Sequence, residues 1–352
     1  MSKWIDASLQ ERTVMLQQVA ECKGIVDSAI EKDWWVTLTL KALFSLPCSN
    51  YLFFKGGTSL SKGWDLIKRF SEDIDLLISR QYFIDVRQRA YAQCANNQQI
   101  KLLRRDSRDF IVDELCPMLA DTIRQLGVVD FTLEPVTMTP QPDGTLKPVD
   151  HDSDPTALLL HYNSIADTQL TYVPSTVKIE ISCLGMDEPF ENRTITSLIY
   201  ETFPQEDDEM QMSIPTILPS RTFLEKTFLL NEEFQRRTPR SLRMSRHLYD
   251  IEKLQDTHWG ADALADAVLY TTIVDHRRRF YHVGGVDYSR DMPQVINFIP
   301  QGEVAERYSA DYADMLQTYI YDKKSALNYE QLIVRLEKLL QRFRNSIGLF
   351  KN

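Results

Sequence analysis

Residues Phe53 to Leu77 read FFKGGTSLSKGWDLIKRFSEDIDLL, and this stretch decides the fold. A short apolar strand (Leu52, Phe53, Phe54) runs into Gly56-Gly57-Thr58-Ser59, a helical stretch follows, and a second strand opens at Asp73-Ile74-Asp75. Strand side chains alternate between faces, so Asp73 and Asp75 point one way while Ile74 and Leu76 point the other. Two carboxylates side by side repel each other unless a cation sits between them. Two glycines ahead of Thr58 and Ser59 let backbone N–H groups come close to an anion, and the helix start adds its positive dipole end. A phosphate cradle facing an acidic metal site is what a nucleotide-handling enzyme needs. A glycine turn or a solvated acidic strand end is commonplace alone; the two together, each bordering an apolar strand, are more specific. The P-loop pattern GxxxxGK[ST] is absent.

The rest of the composition narrows the class. With 352 residues the chain is long enough for one large domain or two ordinary ones. Its 43% hydrophobic and 26% charged content is that of a soluble globular protein. A net charge of −10 argues against binding nucleic acid through overall charge, yet leaves room for a local basic surface. Five scattered cysteines with no CxxC pair argue against a disulfide framework or zinc site and for a reducing, cytoplasmic setting. The polar N-terminus lacks a signal peptide's apolar core, and no apolar run nears the roughly 18–20 residues that span a bilayer.

Helical periodicity covers 6–46 and roughly 81–125, the latter carrying a basic stripe of Lys101, Arg104, Arg105 and Arg108. Strand-like runs follow at Val128 to Leu133, Ala157 to Tyr162 and Thr176 to Ser182. The Pro-, Asp- and Thr-rich stretch from Pro135 to Pro155 reads as a long loop or hairpin excursion. Helical patterns dominate beyond Pro219, at 221–236, 241–256, 261–281, 303–321 and 328–346. The expectation is an α+β protein of two domains, 1–212 and 213–352, the second helical. The boundary falls where Glu206 to Glu209 and two prolines interrupt periodic structure.

Three further constellations leave alternatives open. In Val177-Lys178-Ile179-Glu180-Ile181 the apolar residues face a core, and Lys178 and Glu180 share the other face. By that pattern alone Glu180 reads as a surface acid on an edge strand, paired with a nearby lysine. Lys226 lies among Phe223, Leu224, Phe228 and Leu230, either snorkelling or directed at a site. Arg221, five residues earlier, projects about 140° away on a helix unless it sits at the helix entrance. Asp250 follows Arg246 by four residues, the spacing of a helix-surface salt bridge. His276 to Arg279, with Arg236, Arg237, Arg240 and Arg243, reads as a solvated helix end or as a nucleic-acid track. Glu31 to Asp33 could line a site or form a plain charged turn, and Trp34-Trp35 reads as core. None of the six histidines has metal-ligand spacing.

The chain resembles the nucleotidyltransferase superfamily, whose mark is a GG or GS followed by a D/ExD pair on the next strand. More closely it resembles the AbiEii/AbiGii toxin family, which includes the MenT toxins. Four stretches carry the likeness: Glu31 to Val36, Lys55 to Leu60 with Arg69 to Leu76, Arg221 to Lys226, and Arg243 to Asp250. The resemblance implies a nucleotidyltransferase-type mixed sheet flanked by helices. It implies Asp73 and Asp75, with Glu180 as a third carboxylate, holding Mg²⁺ or alternatively Mn²⁺. Gly56, Gly57, Thr58 and Ser59 would bind the nucleotide, Lys226 and Arg221 would neutralise its triphosphate, and Asp250 would pair with Lys226. It further implies an RNA acceptor, the tRNA 3′ end, and a toxin beside a cognate antitoxin in a toxin–antitoxin or phage-defence system. Two rivals stay open: nucleotidylation of a protein or small molecule, and a non-catalytic nucleotide- or RNA-binding module.

Overall fold

The computed structural model describes residues 3–71, 73–141, 144–166 and 174–345. The chain divides into two units, one of residues 1–63 and 71–216, the other of residues 64–70 and 217–352.

The first unit is built on a mixed sheet. Its strands are β1 (Leu52–Lys55), β2 (Ile74–Ile78), β3 (Phe131–Pro135), β6 (Thr156–Tyr162), β7 (Thr176–Ser182), β8 (Phe190–Thr196) and β9 (Gln211–Ile217), after the hairpin strands β4 (Met138–Pro140) and β5 (Leu146–Pro148) are set apart. The seven run in the order β3-β6-β7-β2-β1-β9-β8. β1 and β2 are antiparallel, while β2 with β7 and β1 with β9 are parallel. Alternation explains which face is core: Val177, Ile179 and Ile181 are fully buried, as are Leu158 and Leu160 on β6. The excursion after Pro135 contains the β4–β5 hairpin. β8 and β9 lie where the sequence showed no strand signal. Pro215 falls inside β9, and a residue without an N–H makes a strand read as an interruption.

The helix α1 (Asp27–Leu43) is buried nearly all round, its charged residues included. Trp34 and Trp35 belong to this core, with Trp35 stacked on Tyr162 at 4.7 Å between ring centroids. Glu31, Lys32 and Asp33 are buried too. Glu31 accepts from Ser164 and from the amides of Ile165 and Ala166, Lys32 donates to the Pro174 carbonyl, and Asp33 meets Lys62 at 2.5 Å. They brace the unit instead of forming an exposed charged turn.

The second unit is helical: α2 (Pro219–Glu233), α3 (Ser245–Leu254), α4 (Ala267–Phe280), α5 (Glu303–Thr318) and α6 (Tyr329–Asn345), with a short helix at His258–Ala265. Pro219 opens α2, where its missing N–H has no intrahelical partner to lose. The core forms around Phe223, Phe228, Tyr270 and Phe343; Phe223 and Phe343 lie 6.0 Å apart. The segment 64–70 joins this unit because its backbone and rings find partners there. Phe70 N–H donates to the Tyr319 carbonyl, Trp64 Nε1 donates to the Ile217 carbonyl, and Trp64 meets Trp259 edge to face. No helix of the described residues is long and apolar enough to cross a membrane. All five cysteines are free thiols.

Candidate active site

The first cluster lies on one face of the sheet. Register pairs Lys55 with Asp75, Asp75 with Glu180, and Glu180 with Ala157. Directly paired residues share a face, so Lys55, Asp75 and Glu180 form one row across β1, β2 and β7. Asp73, two residues before Asp75, precedes β2 and is half-buried like Asp75. Glu72 lies outside the described residues.

The turn from β1 into the helix is shaped by Asp75. Gly56 has φ +80°, a region that L side chains rarely adopt, and a Cβ there would overlap the Asp75 carboxylate. The helix begins at Gly56 and continues as a π turn over Ser59–Gly63. Thr58 is fully buried; its hydroxyl donates to the Asp73 carbonyl and meets the Ser71 hydroxyl at 2.9 Å. This stitches the glycine turn to the acidic strand. Ser59 is also fully buried, and its hydroxyl donates to the Gly56 carbonyl at 2.9 Å. In this conformation Thr58 and Ser59 brace the turn with their side chains, which leaves backbone N–H groups as its contribution to an anion.

Glu180 sits beside Asp75 as the strand register requires, and Lys178 draws its carboxylate into an ion pair at 2.6 Å. Among the described residues no three His, Cys, Asp or Glu side chains converge as a metal cage. Two carboxylates still fit magnesium, which binds through one or two of them together with substrate phosphates and waters.

The second cluster is in the helical unit. Asp250 is fully buried on α3. Arg69 donates to it through Nε and Nη2, each at 2.7 Å, and Lys226 Nζ lies 2.9 Å from Oδ2. Lys226 also lies 3.4 Å from His247 Nδ1. Burial pushes the Asp250 carboxyl up, but Arg69 and Lys226 outweigh it and hold the group well below the usual carboxylate range. Burial lowers the Lys226 ammonium, Asp250 opposes that, and Arg69 adds to it. The Lys226–Asp250 pair is thus present. Arg221 lies in the first turn of α2, fully buried, with Glu225 at 2.9 Å.

Arg69 is the member that residue-by-residue reading left without a role. Its signal was available: a lone arginine just ahead of the acidic strand, inside the same motif. The basic cluster at 276–279 divides. Arg277 is buried in a two-bond pair with Glu232, while Arg278 stays at the surface beside Asp275. In the other stripe Lys101 and Arg104 both face Asp152, and Arg105 is exposed.

A mixed sheet with a glycine turn abutting a DxD strand is the arrangement that the resemblance to nucleotidyltransferases implies. The family model described as nucleotidyl transferase AbiEii toxin, type IV toxin–antitoxin system, matches residues 39–342. The chain belongs to this family of nucleotidyltransferase toxins. Among solved structures it is similar to MenT4, the nucleotidyltransferase toxin Rv2826c from Mycobacterium tuberculosis H37Rv. The identity is 15% over 96% of this chain and 99% of that one, with a TM-score of 0.43. No curated protein matches.

Proposed function

We propose that the protein transfers a nucleotide from a nucleoside triphosphate to a hydroxyl of RNA, with the tRNA 3′ end as acceptor, as a toxin beside a cognate antitoxin in a toxin–antitoxin or phage-defence system. The observation that supports the reading is how closely the Asp75 carboxylate packs on Gly56, where even a Cβ would overlap it, so that the glycine turn and the acidic strand lie together.

Asp73 and Asp75 are the residues that would hold Mg²⁺ or Mn²⁺. When bound, the metal would offset phosphate charge and orient the reacting oxygens. The acceptor oxygen attacks the α-phosphorus in line. The bond from that phosphorus to the bridging oxygen breaks, pyrophosphate leaves, and the hydroxyl proton passes to water. Backbone N–H groups of the 56–57 turn hold phosphate oxygens. Lys226, its charge fixed by Asp250, offers a further donor to phosphate, and charge neutralisation supplies much of the rate. An overall charge of −10 makes indiscriminate RNA binding weak, so the acceptor would be held by local residues such as Arg105.

Purified protein incubated with Mg²⁺, each labelled NTP in turn and total RNA should label an RNA band in the tRNA size range. Lys226→Ala should lower that labelling on the order of 10²-fold. A labelled protein band with unlabelled RNA would move the acceptor to a protein.

A further inference from the structure

We propose that His247 is a positioning residue for Lys226: its Nδ1 accepts one ammonium hydrogen, so that another is presented to the phosphate of a bound nucleotide. The inference rests on the role given to Lys226 above.

The donors can be counted. An ammonium has three N–H groups. Asp250 Oδ2 takes one at 2.9 Å and His247 Nδ1 a second at 3.4 Å; among the described residues the third has no acceptor. Asp250 alone does not set the ammonium's direction, because Arg69 Nη2 holds the same oxygen at 2.7 Å and Arg69 Nε holds the other. A second fixed acceptor is needed to stop rotation about the Cε–Nζ bond. His247 and Asp250 stand three residues apart on α3, and on a helix that spacing gives them one face. Lys226 reaches both from α2.

The contact constrains the imidazole. Nδ1 accepts only if it carries no proton, which requires the neutral ring protonated at Nε2. Burial, the charge of Lys226 and that of Arg246 hold the ring's pKa well below its usual value; Asp250 opposes them and Arg69 adds to them. These are the charged groups around the ring, from α3, α2 and the segment 64–70. His247 therefore stays neutral through physiological pH, and the acceptor persists.

Two substitutions separate positioning from packing. His247→Leu keeps bulk and removes the acceptor; His247→Asn restores an acceptor oxygen near the place of Nδ1. With both variants folded by circular dichroism, His247→Leu should lower kcat about tenfold, the worth of one oriented hydrogen bond. It should also move the alkaline limb of the rate profile to lower pH, because an ammonium that loses an acceptor gives up its proton more readily. His247→Asn should return both toward the parent. Reductive dimethylation of Lys226, followed by mass spectrometry against pH, reads the same ionisation without any turnover. Half-modification should fall at lower pH in His247→Leu and at the parent's pH in His247→Asn. Equal labelling curves for parent and His247→Leu, or an Asn variant no different from Leu, would overturn the assignment. A parent protein inert toward every NTP and RNA would instead sink the transfer reading, while the labelling curves still decide the His247 contact.

Discussion

On the sheet, Asp73, Asp75 and Glu180 remain partly open to water, whereas in the helical unit Asp250 is wholly enclosed by Arg69 and Lys226. The contrast follows from what each carboxylate must do. A buried charge is tolerable only when paired and hydrogen-bonded, and Asp250 meets that condition with three donors. Its carboxylate is spent on holding two cations. On the sheet, Lys178 takes up Glu180 two residues along the same strand, and Lys55 is in register with Asp75. An excess of negative charge at an accessible place suits a cation that arrives with its substrate; an excess of positive charge in a nearly closed place suits a fixed contact to an anion.

The largest test of this contrast is at the sheet. Asp75→Ala should cut transfer on the order of 10²–10³-fold, the scale lost when a pre-placed charge partner is removed. It should leave the melting temperature equal or slightly higher, because like-charge repulsion is relieved. Full activity in the Asp73→Ala, Asp75→Ala double variant would end the catalytic assignment. EDTA should likewise stop turnover of the parent with little change in its melting, and Mg²⁺ should restore it.

Arg69→Met should do the reverse and strike stability first. Breaking a buried pair costs about 3–5 kcal/mol when a charge is left behind. Hydrogen exchange should rise in α2 and α3 and change less in β2 and β7. Uniform protection across both regions of the variant would mean that Asp250 does not depend on its arginine.

Gly56→Ala should cost about 1–3 kcal/mol from the left-handed backbone. The added methyl would also push on Asp75, so activity should fall further than stability does. A variant as active as the parent would show that the turn and the acidic strand do not act together.

The smallest expected effect concerns pH. Asp291, buried on the helical side, is pushed up to about 7 by burial and by Glu232, so the folded state keeps its proton after the unfolded chain has lost it. Its contribution is full below pH about 4 and is lost as pH rises through about 7. Asp250 has the opposite sign: its contribution is present above about 4 and is lost as pH falls. Asp291→Asn should therefore protect α2 and α4 relative to the parent at pH 8.5, with a smaller difference at pH 5. Equal exchange at both pH values would show that Asp291 does not titrate in that range.

Much of the architecture was legible because its signals are local. The alternation in Val177 to Ile181 is a period-two pattern within one strand, and the helices beyond Pro219 show their apolar faces over many turns. β8 and β9 were not legible: β8 is largely polar, and Pro215 breaks the pattern of β9. The charged run at 276–279 misled for a related reason. Four basic residues in a row look alike in one dimension, and only the packing of α4 on α2 separates Arg277, facing Glu232, from Arg278.

The sequence by itself determined the chemistry on offer: a glycine turn, a DxD strand and a lysine set among apolar residues. Short-range geometry suffices there, since alternation along one strand places two carboxylates on one side. Tertiary structure decided which of those charges are already satisfied. That Glu180 lies beside Asp75 but answers to Lys178 is a matter of strand register and side-chain reach. That Arg69 holds Asp250 depends on chain folding across 181 residues. Desolvation then fixes the outcome: a carboxylate taken wholly out of water must find its cations inside the protein, and linear spacing does not say where they will be.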